Sequence, residues 1–363
     1  MSINEIVVLV LVIFMIIGAA DKIGGNRFGY GEQFERGFMA MGPLAIAMIG
    51  IISLAPVLAE LLRPVVVPFF SWMGADPAMF ATAFLALDMG GYPLALELAE
   101  SRDAALFAGI LLGTMLGPTL TFTIPVALGL IEKEDRPYLA KGVLAGLTTI
   151  PLGLLAGGAA AGFSMEMMLR SIVPIVIFSG GIALGLWLQP RVMVTLFMMF
   201  GQGVTALMVG ATAVIIFQTL TGWTLVSGMA PISEGIQIVG MIAIMLAGAF
   251  PLVHFLKKAF GKALSPLGNK VHMNEISVVG WLSSLAHAIP MFGMARDMNP
   301  RGKVMNFAFA VSGAFILGGH LAFTASVEEE MITAMMIGKI TGGITAMIAA
   351  FVLTRDLEAE VQK

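Results

Sequence analysis

Nine stretches of apolar residues, each about as long as a bilayer is thick, recur along the chain. They fall at about 4–21, 38–62, 105–131, 140–163, 173–189, 192–218, 235–256, 304–327 and 331–354. A helix of roughly 20 apolar residues crosses the hydrocarbon core. In lipid each backbone polar group must be bonded within its own segment, so such segments are helical. The expected class is therefore an all-α polytopic membrane protein. Composition agrees, because 58% of the 363 residues are hydrophobic and only 12% are charged, against about 25% charged in a soluble domain. No polar stretch is long enough for a soluble domain. The absence of cysteine excludes disulfides and thiolate metal sites. The leading "MSINEIVVLVLVIF" has no Lys or Arg and carries Glu5. That is unlike a cleaved signal, so the first segment reads as a retained spanning helix.

Two more apolar segments, 77–98 and 276–295, are interrupted by "DMGGYP" and "SSLAHAIP". Glycine weakens a helix and proline removes one of its hydrogen bonds. Gly90, Gly91, Pro93 and Pro290 are the expected helix breaks. Loop charge tells whether these segments cross, because cytoplasmic loops are rich in Lys and Arg. With both segments as re-entrant hairpins, nine helices cross and 16 of the 20 basic residues face the cytoplasm, leaving Arg63, Arg102 and Arg170 outside and Lys339 within the membrane. With both crossing, eleven helices span and the split falls to 10 against 9. The hairpin arrangement is favoured, with eleven crossings as the alternative.

The chain also repeats itself. "LGPTLTF" at 116–122 matches "LGGHLAF" at 317–323, and "KGVLAGLTT" at 141–149 resembles "GKITGGIT" at 338–345. The two breaks end at Pro93 and Pro290, and the offsets are 201, 196 and 197. Each unit reads as helix, helix, broken hairpin, helix, helix: a first repeat over 1–163, a linker helix over 164–190 and a second repeat over 191–363. Four crossings per repeat and one linker helix make the repeats inverted. Inverted repeats with discontinuous helices are a transporter architecture, with the substrate site near mid-membrane.

Asp88 sits at the first break, where an ionisable side chain is costly and points to function; a helix cap is its bland alternative. A carboxylate beside aromatic rings suits a small organic cation, which brings Tyr92 and Trp281 into the candidate substrate site. His287 lies at the second break. His320 lies in "LGGHLAF", expected mid-helix, opposite Thr119 in the repeat. Thr119 and Thr121 are candidate hydroxyl partners, although membrane threonines commonly bond their own backbone. Lys339 is the one basic residue that no surface can take, and Asp88 is its expected partner, as a structural pair or in coupling. No metal site and no cofactor are expected. There is no P-loop, H-E-x-x-H or G-x-S-x-G motif, so transport without ATP is favoured over enzymology. The competing reading makes Asp88, His287 and His320 an intramembrane metal cluster. A receptor or scaffold is disfavoured by the shortage of extramembrane surface.

At "ALDMGGYPLALELA", "LGPTLTFTIPVALGLIEKEDRPYLAKG" and "VSGAFILGGHLAFTASV" the chain resembles the ethanolamine-utilization permease family, in the same order along essentially its whole length. The resemblance implies a bacterial inner-membrane protein for uptake of ethanolamine or a related small amine. Its expected partners are the amine and the bilayer, with no nucleic acid; homo-oligomerisation is left open. The chain is short for that family.

Overall fold

The computed structural model describes residues 2–85, 87–260 and 265–355. Met1 and residues 356–363, at the ends of the two expected repeats, lie outside the described residues, as does Lys262 of the charge count. Every regular element among the described residues is helical.

The first part of the chain forms α1 (Ile3–Ile23), α2 (Tyr30–Met39) and α3 (Met41–Trp72), then the short pair α4 (Met79–Ala83) and α5 (Gly91–Leu98). A run from Arg102 to Leu130 follows, made of α6 (Arg102–Leu106), a π-helical turn, α7 (Leu116–Pro118), a second π-helical turn and α8 (Ile124–Leu130). Next come α9 (Arg136–Ala160) and α10 (Met165–Leu188). The remainder is α11 (Pro190–Thr221), α12 (Ile232–Phe260), α13 (Ser265–Lys270), the short pair α14 (Glu275–Ser284) and α15 (Ala288–Gly293), then α16 (Pro300–Ser312), α17 (Gly319–Val327) and α18 (Ile332–Leu353).

Local chemistry sets the ends. Ser2 and Glu5 form a reciprocal capping box at α1, which satisfies two of the free N–H groups at a helix start. Asn274, Ser101 and Ser164 cap α14, α6 and α10 in the simpler way. Pro56, Pro64 and Pro68 lie inside α3 without ending it, as membrane helices allow.

Among the described residues, eight helices are long and apolar enough to cross a membrane. The segment expected at 304–327 is not one of them. It is two helices, α16 and α17, on either side of an unwound stretch at 313–318. The segment that follows each short helical pair is itself interrupted, at 113–115 and at 313–318. The outer faces are apolar: Ile3, Leu9, Ile13 and Ile16 of α1 and Leu169, Val173 and Ile177 of α10 are exposed. That pattern suits lipid as the surrounding solvent.

α9 and α18 pack back to back through small residues. A Cβ on Gly153 would come within 2.7 Å of the Gly338 carbonyl, and one on Gly157 within 2.9 Å of the Ala334 carbonyl. α16 lies on the same pair, with Val311 against Gly146 and Ser312 against Gly342. Small residues at these crossings let membrane helices gain van der Waals contact that a larger side chain would prevent.

Candidate functional site

Both short helical pairs turn back on themselves. The Glu100 backbone N–H, just beyond α5, donates to Asp76 Oδ2 just before α4, at 3.1 Å. Asn274, at the start of α14, donates through Nδ2 to the Asp297 carbonyl at 2.9 Å and through its backbone N–H to Asn299 Oδ1 at 3.1 Å. Each pair therefore begins and ends at the same place, with its tip buried in the molecule.

The first tip is made by Asp88. Its φ is +53°, in the left-handed region where a side chain is strained and Asp is one of the better-tolerated residues. The glycines expected to break the helix do something else. Gly90 and Gly91 have ordinary helical backbone angles; their missing side chains admit Ile51 at 2.7 Å and Thr82 at 2.7 Å from where a Cβ would be. Pro93 and Pro290 also do not sit at the breaks. Each lies in the first turn of the returning arm, α5 or α15, where proline needs no N–H partner.

The second tip is stitched to the 313–318 stretch. The Phe315 and Leu317 backbone N–H groups donate to the Ser284 and Leu285 carbonyls at 2.9 and 2.8 Å. Phe315 is also left-handed, at φ +64°. Gly318 approaches so closely that a Cβ would lie 2.0 Å from the Ala286 carbonyl oxygen. This unwound stretch thus finds its hydrogen bonds on the hairpin tip, as freed backbone at membrane depth requires.

The two tips and the unwound stretch enclose a cavity of about 510 Å³ that extends to Ala40 and Pro43 at the start of α3. Its polar lining is Asp88, His287, His320, Thr121 and Thr205; most of the rest is apolar, including Met48, Met89, Met208, Phe122, Phe250 and Phe315. Asp88 keeps 24% of its side chain accessible. His320 Nε2 lies 3.4 Å from Asp88 Oδ1, longer than an ordinary hydrogen bond. His287 Nδ1 accepts from the Ile289 N–H at 3.2 Å, which leaves the proton of a neutral ring on Nε2. Phe315 packs against both imidazoles, at 5.0 Å from His287 and 5.1 Å from His320, and Phe122 stands 5.8 Å from His287. The cavity therefore holds one carboxylate, two imidazoles and three phenyl rings. That set can neutralise a small cation and offer it ring faces.

Other expected site residues lie elsewhere. The Tyr92 hydroxyl donates to Glu328 Oε1 at 2.6 Å, and its ring packs edge-on against Phe323, outside the cavity lining. Glu328 also accepts from Arg102 at 2.8 Å. Thr119 is fully buried and joins the two interrupted segments, its hydroxyl against the Met115 carbonyl at 2.8 Å and the Val311 carbonyl at 3.1 Å. Thr121 does line the cavity, but its hydroxyl is spent on the Gly117 carbonyl at 3.0 Å. Trp281 packs edge-on against Phe309 at 5.7 Å, away from the cavity. His320 opens α17 beside the unwound stretch and is not mid-helix.

Lys339 is buried, at 1% exposure. It makes no direct ion pair with Asp88. Its Nζ donates to the Thr114 carbonyl at 2.5 Å, at the 113–115 interruption, while Asp88 remains within its electrostatic reach. A lysine that answers a backbone carbonyl has no signature in sequence. Phe122 and Phe315 were also missed; the one available signal was the glycine-flanked "GAFILGG" around Phe315. Among the described residues no three His, Asp or Glu side chains come together as metal ligands.

Fold and site define a polytopic helical membrane protein with a charged cavity between two returning hairpins. A family model described as "Ethanolamine utilisation protein, EutH" matches residues 3–353, and the chain belongs to that family. It is 56% identical over 347 residues to a Listeria monocytogenes protein named probable ethanolamine permease EutH, covering 96% of this chain and 93% of the relative. An Escherichia coli protein of the same name is 43% identical over 401 aligned positions, covering 100% and 98%. Bacillus subtilis YxeR, named uncharacterized, is 51% identical over 363 residues, with 100% and 98% covered. No solved structure matches.

Proposed function

We propose that this chain carries a small protonated amine, ethanolamine foremost, across the bacterial inner membrane by secondary or facilitated transport, with Asp88 receiving the ammonium. The observation that carries the reading is Asp88 itself: a carboxylate held in left-handed backbone at a hairpin tip, facing a mostly apolar cavity. Holding a charge there is expensive, and a bound ammonium offsets that cost. Phe122 and Phe315 would face the cation, and His287 or His320 would bond the hydroxyl. The relatives named ethanolamine permease support the substrate.

In this reading the two helical pairs are re-entrant hairpins of inverted repeats. The hydrogen bonds that join the two ends of each pair support re-entry. The charge count then puts nine crossings in the membrane, with the α16–α17 segment crossing despite its interruption. Ala40 and Pro43 would mark the cytoplasmic end of the cavity.

Proteoliposome uptake of labelled ethanolamine tests the substrate role. A hydrogen bond to a charged group contributes about 1.5–3 kcal/mol, so Asp88→Asn should weaken amine binding by roughly 10- to 150-fold and abolish saturable uptake. Asp88→Glu should keep a fraction. A folded Asp88→Asn protein with unchanged apparent affinity would leave Asp88 as a cap only.

A further inference from the structure

We infer that Lys339 is a resident cation, and that binding of an ammonium at Asp88 displaces a proton from it. The inference rests on the amine reading above and adds what the bound charge does to the rest of the site.

Lys339 lies in the middle of the packed interior, not at a surface to which its chain can reach. Its ammonium is held by the Thr114 carbonyl, one of the groups freed where the Arg102–Leu130 run is interrupted. Freed carbonyls of interrupted helices are where transporters commonly seat an alkali cation. Here a covalently tethered ammonium occupies that place. No alkali cation is then needed to satisfy the carbonyl.

The charges around Lys339 are few. Asp88, at the first hairpin tip, and His320, on α17 and 3.4 Å from Asp88, lie within its electrostatic reach. α9 meets α18 through Gly153 and Gly157, and α16 through Ser312 and Phe309, none of them titratable. The Arg136 and Lys141 of α9 and the Arg301 and Lys303 of α16 stand near the starts of those helices, and Glu5 and Asp21 near the ends of α1. Glu328, before α18, is engaged by Tyr92 and Arg102. Among the described residues, Asp88 is therefore the one carboxylate available to neutralise Lys339.

One carboxylate in a low-dielectric site cannot neutralise two cations. Like charges sharing a buried site drive one of them to its neutral form, and an uncompensated buried charge is strongly unfavourable. When a protonated amine settles on Asp88, the Lys339 ammonium gives up one proton to solvent and becomes the neutral amine. The balance is one ammonium in and one proton out, with no net change of charge in the site. The neutral amine of Lys339 still has N–H groups to donate to the Thr114 carbonyl, so the interruption stays satisfied in both states. Carriage is then charge-neutral.

The test uses the purified full-length protein in weakly buffered detergent solution, titrated with ethanolamine over a pH range in which the ligand stays protonated. A pH indicator counts protons and calorimetry gives affinity. One proton should be released per amine bound, and affinity should rise tenfold per pH unit. Removing alkali salts should leave both unchanged. Lys339→Gln should bind without releasing a proton and with a flat pH profile. His320→Gln should still release one, whatever its affinity. Flat affinity without release in the wild type overturns the inference, as does equal release from Lys339→Gln or loss of release in His320→Gln. If Lys339→Gln does not fold, the His320→Gln arm still separates the two proton sources. Absence of amine binding at every pH sinks the amine reading, and this inference with it.

Discussion

The two hairpin tips hold corresponding places in the chain but meet different fates. At the second tip, residues 284–286 are tied to the 313–318 stretch by two backbone hydrogen bonds and a glycine contact. At the first, among the described residues, the Asp88 carboxylate has only its neighbour's N–H at 2.7 Å and a loose approach to His320. The interruption at 113–115, which the first tip might have served, receives Lys339 instead. One half thus satisfies its freed backbone with backbone. The other uses a lysine and leaves a carboxylate facing the cavity. A broken helix creates polar groups that must be answered; where the answer is complete the site is scaffold, and where it leaves charge over there is room for a ligand.

The sharpest way to break this contrast is at the completed tip. In Gly318→Ala the new Cβ would meet the Ala286 carbonyl at 2.0 Å and its carbon at 2.9 Å. Backbone cannot swing aside as a flexible side chain does, so the tip and the unwound stretch must separate and leave the Phe315 and Leu317 N–H groups without partners. Each such loss in a buried place costs about 1–3 kcal/mol. The protein should fail to accumulate in the membrane. Gly90→Ala, whose Cβ meets only the Ile51 side-chain methyl at 2.7 Å, should accumulate at reduced thermal stability. Equal accumulation of the two would remove the distinction between the tips.

Lys339→Met comes next. It leaves the Thr114 carbonyl without its donor, at about 1–3 kcal/mol, and removes the cation in reach of Asp88. Adding Asp88→Asn should recover the charge imbalance but not the carbonyl. The double variant should therefore melt between Lys339→Met and the wild type, as read by thermal unfolding in detergent. Full recovery would mean that the pair is purely ionic and the Thr114 contact is incidental.

What could be read from sequence follows from the same physics. "DMGGYP" and "SSLAHAIP" stand out because charge, glycine and proline are out of place in a long apolar run, and Asp88, His287 and His320 do meet in one cavity. The interruption at 313–318 did not stand out. "VSGAFILGGHLAF" is apolar throughout, and Gly313 and Gly318 read equally well as helix-packing residues. Tyr92 cannot be placed from sequence because its partner, Glu328, is 236 residues away. Thr119 reads as a free hydroxyl partner in sequence because its bond to the Val311 carbonyl joins two segments that only the fold brings together.

The smallest expected effect concerns Tyr92, and it separates packing at the first hairpin from binding at its tip. Tyr92 on α5 and Arg102 at the start of α6 both hold Glu328, which follows α17. They fasten the returning arm of the first hairpin to the far end of the second interrupted segment. Tyr92→Phe keeps the ring and its contacts with Phe323 and Gly109, and removes one hydrogen bond to a carboxylate that retains Arg102. Arg102 is 65% exposed, so its pair with Glu328 contributes at most about 1 kcal/mol. The loss of the hydroxyl should lower stability by about 1 kcal/mol, toward the low end for hydrogen bonds because Glu328 can turn to water. Amine affinity should not change, since the ring lies outside the cavity. A thermal melt and an ethanolamine titration of the same preparation measure both. If affinity falls tenfold while the melt is unmoved, Tyr92 reaches the ligand after all, and the first hairpin closes over the amine in a way that brings its arm, and not only its tip, into the site.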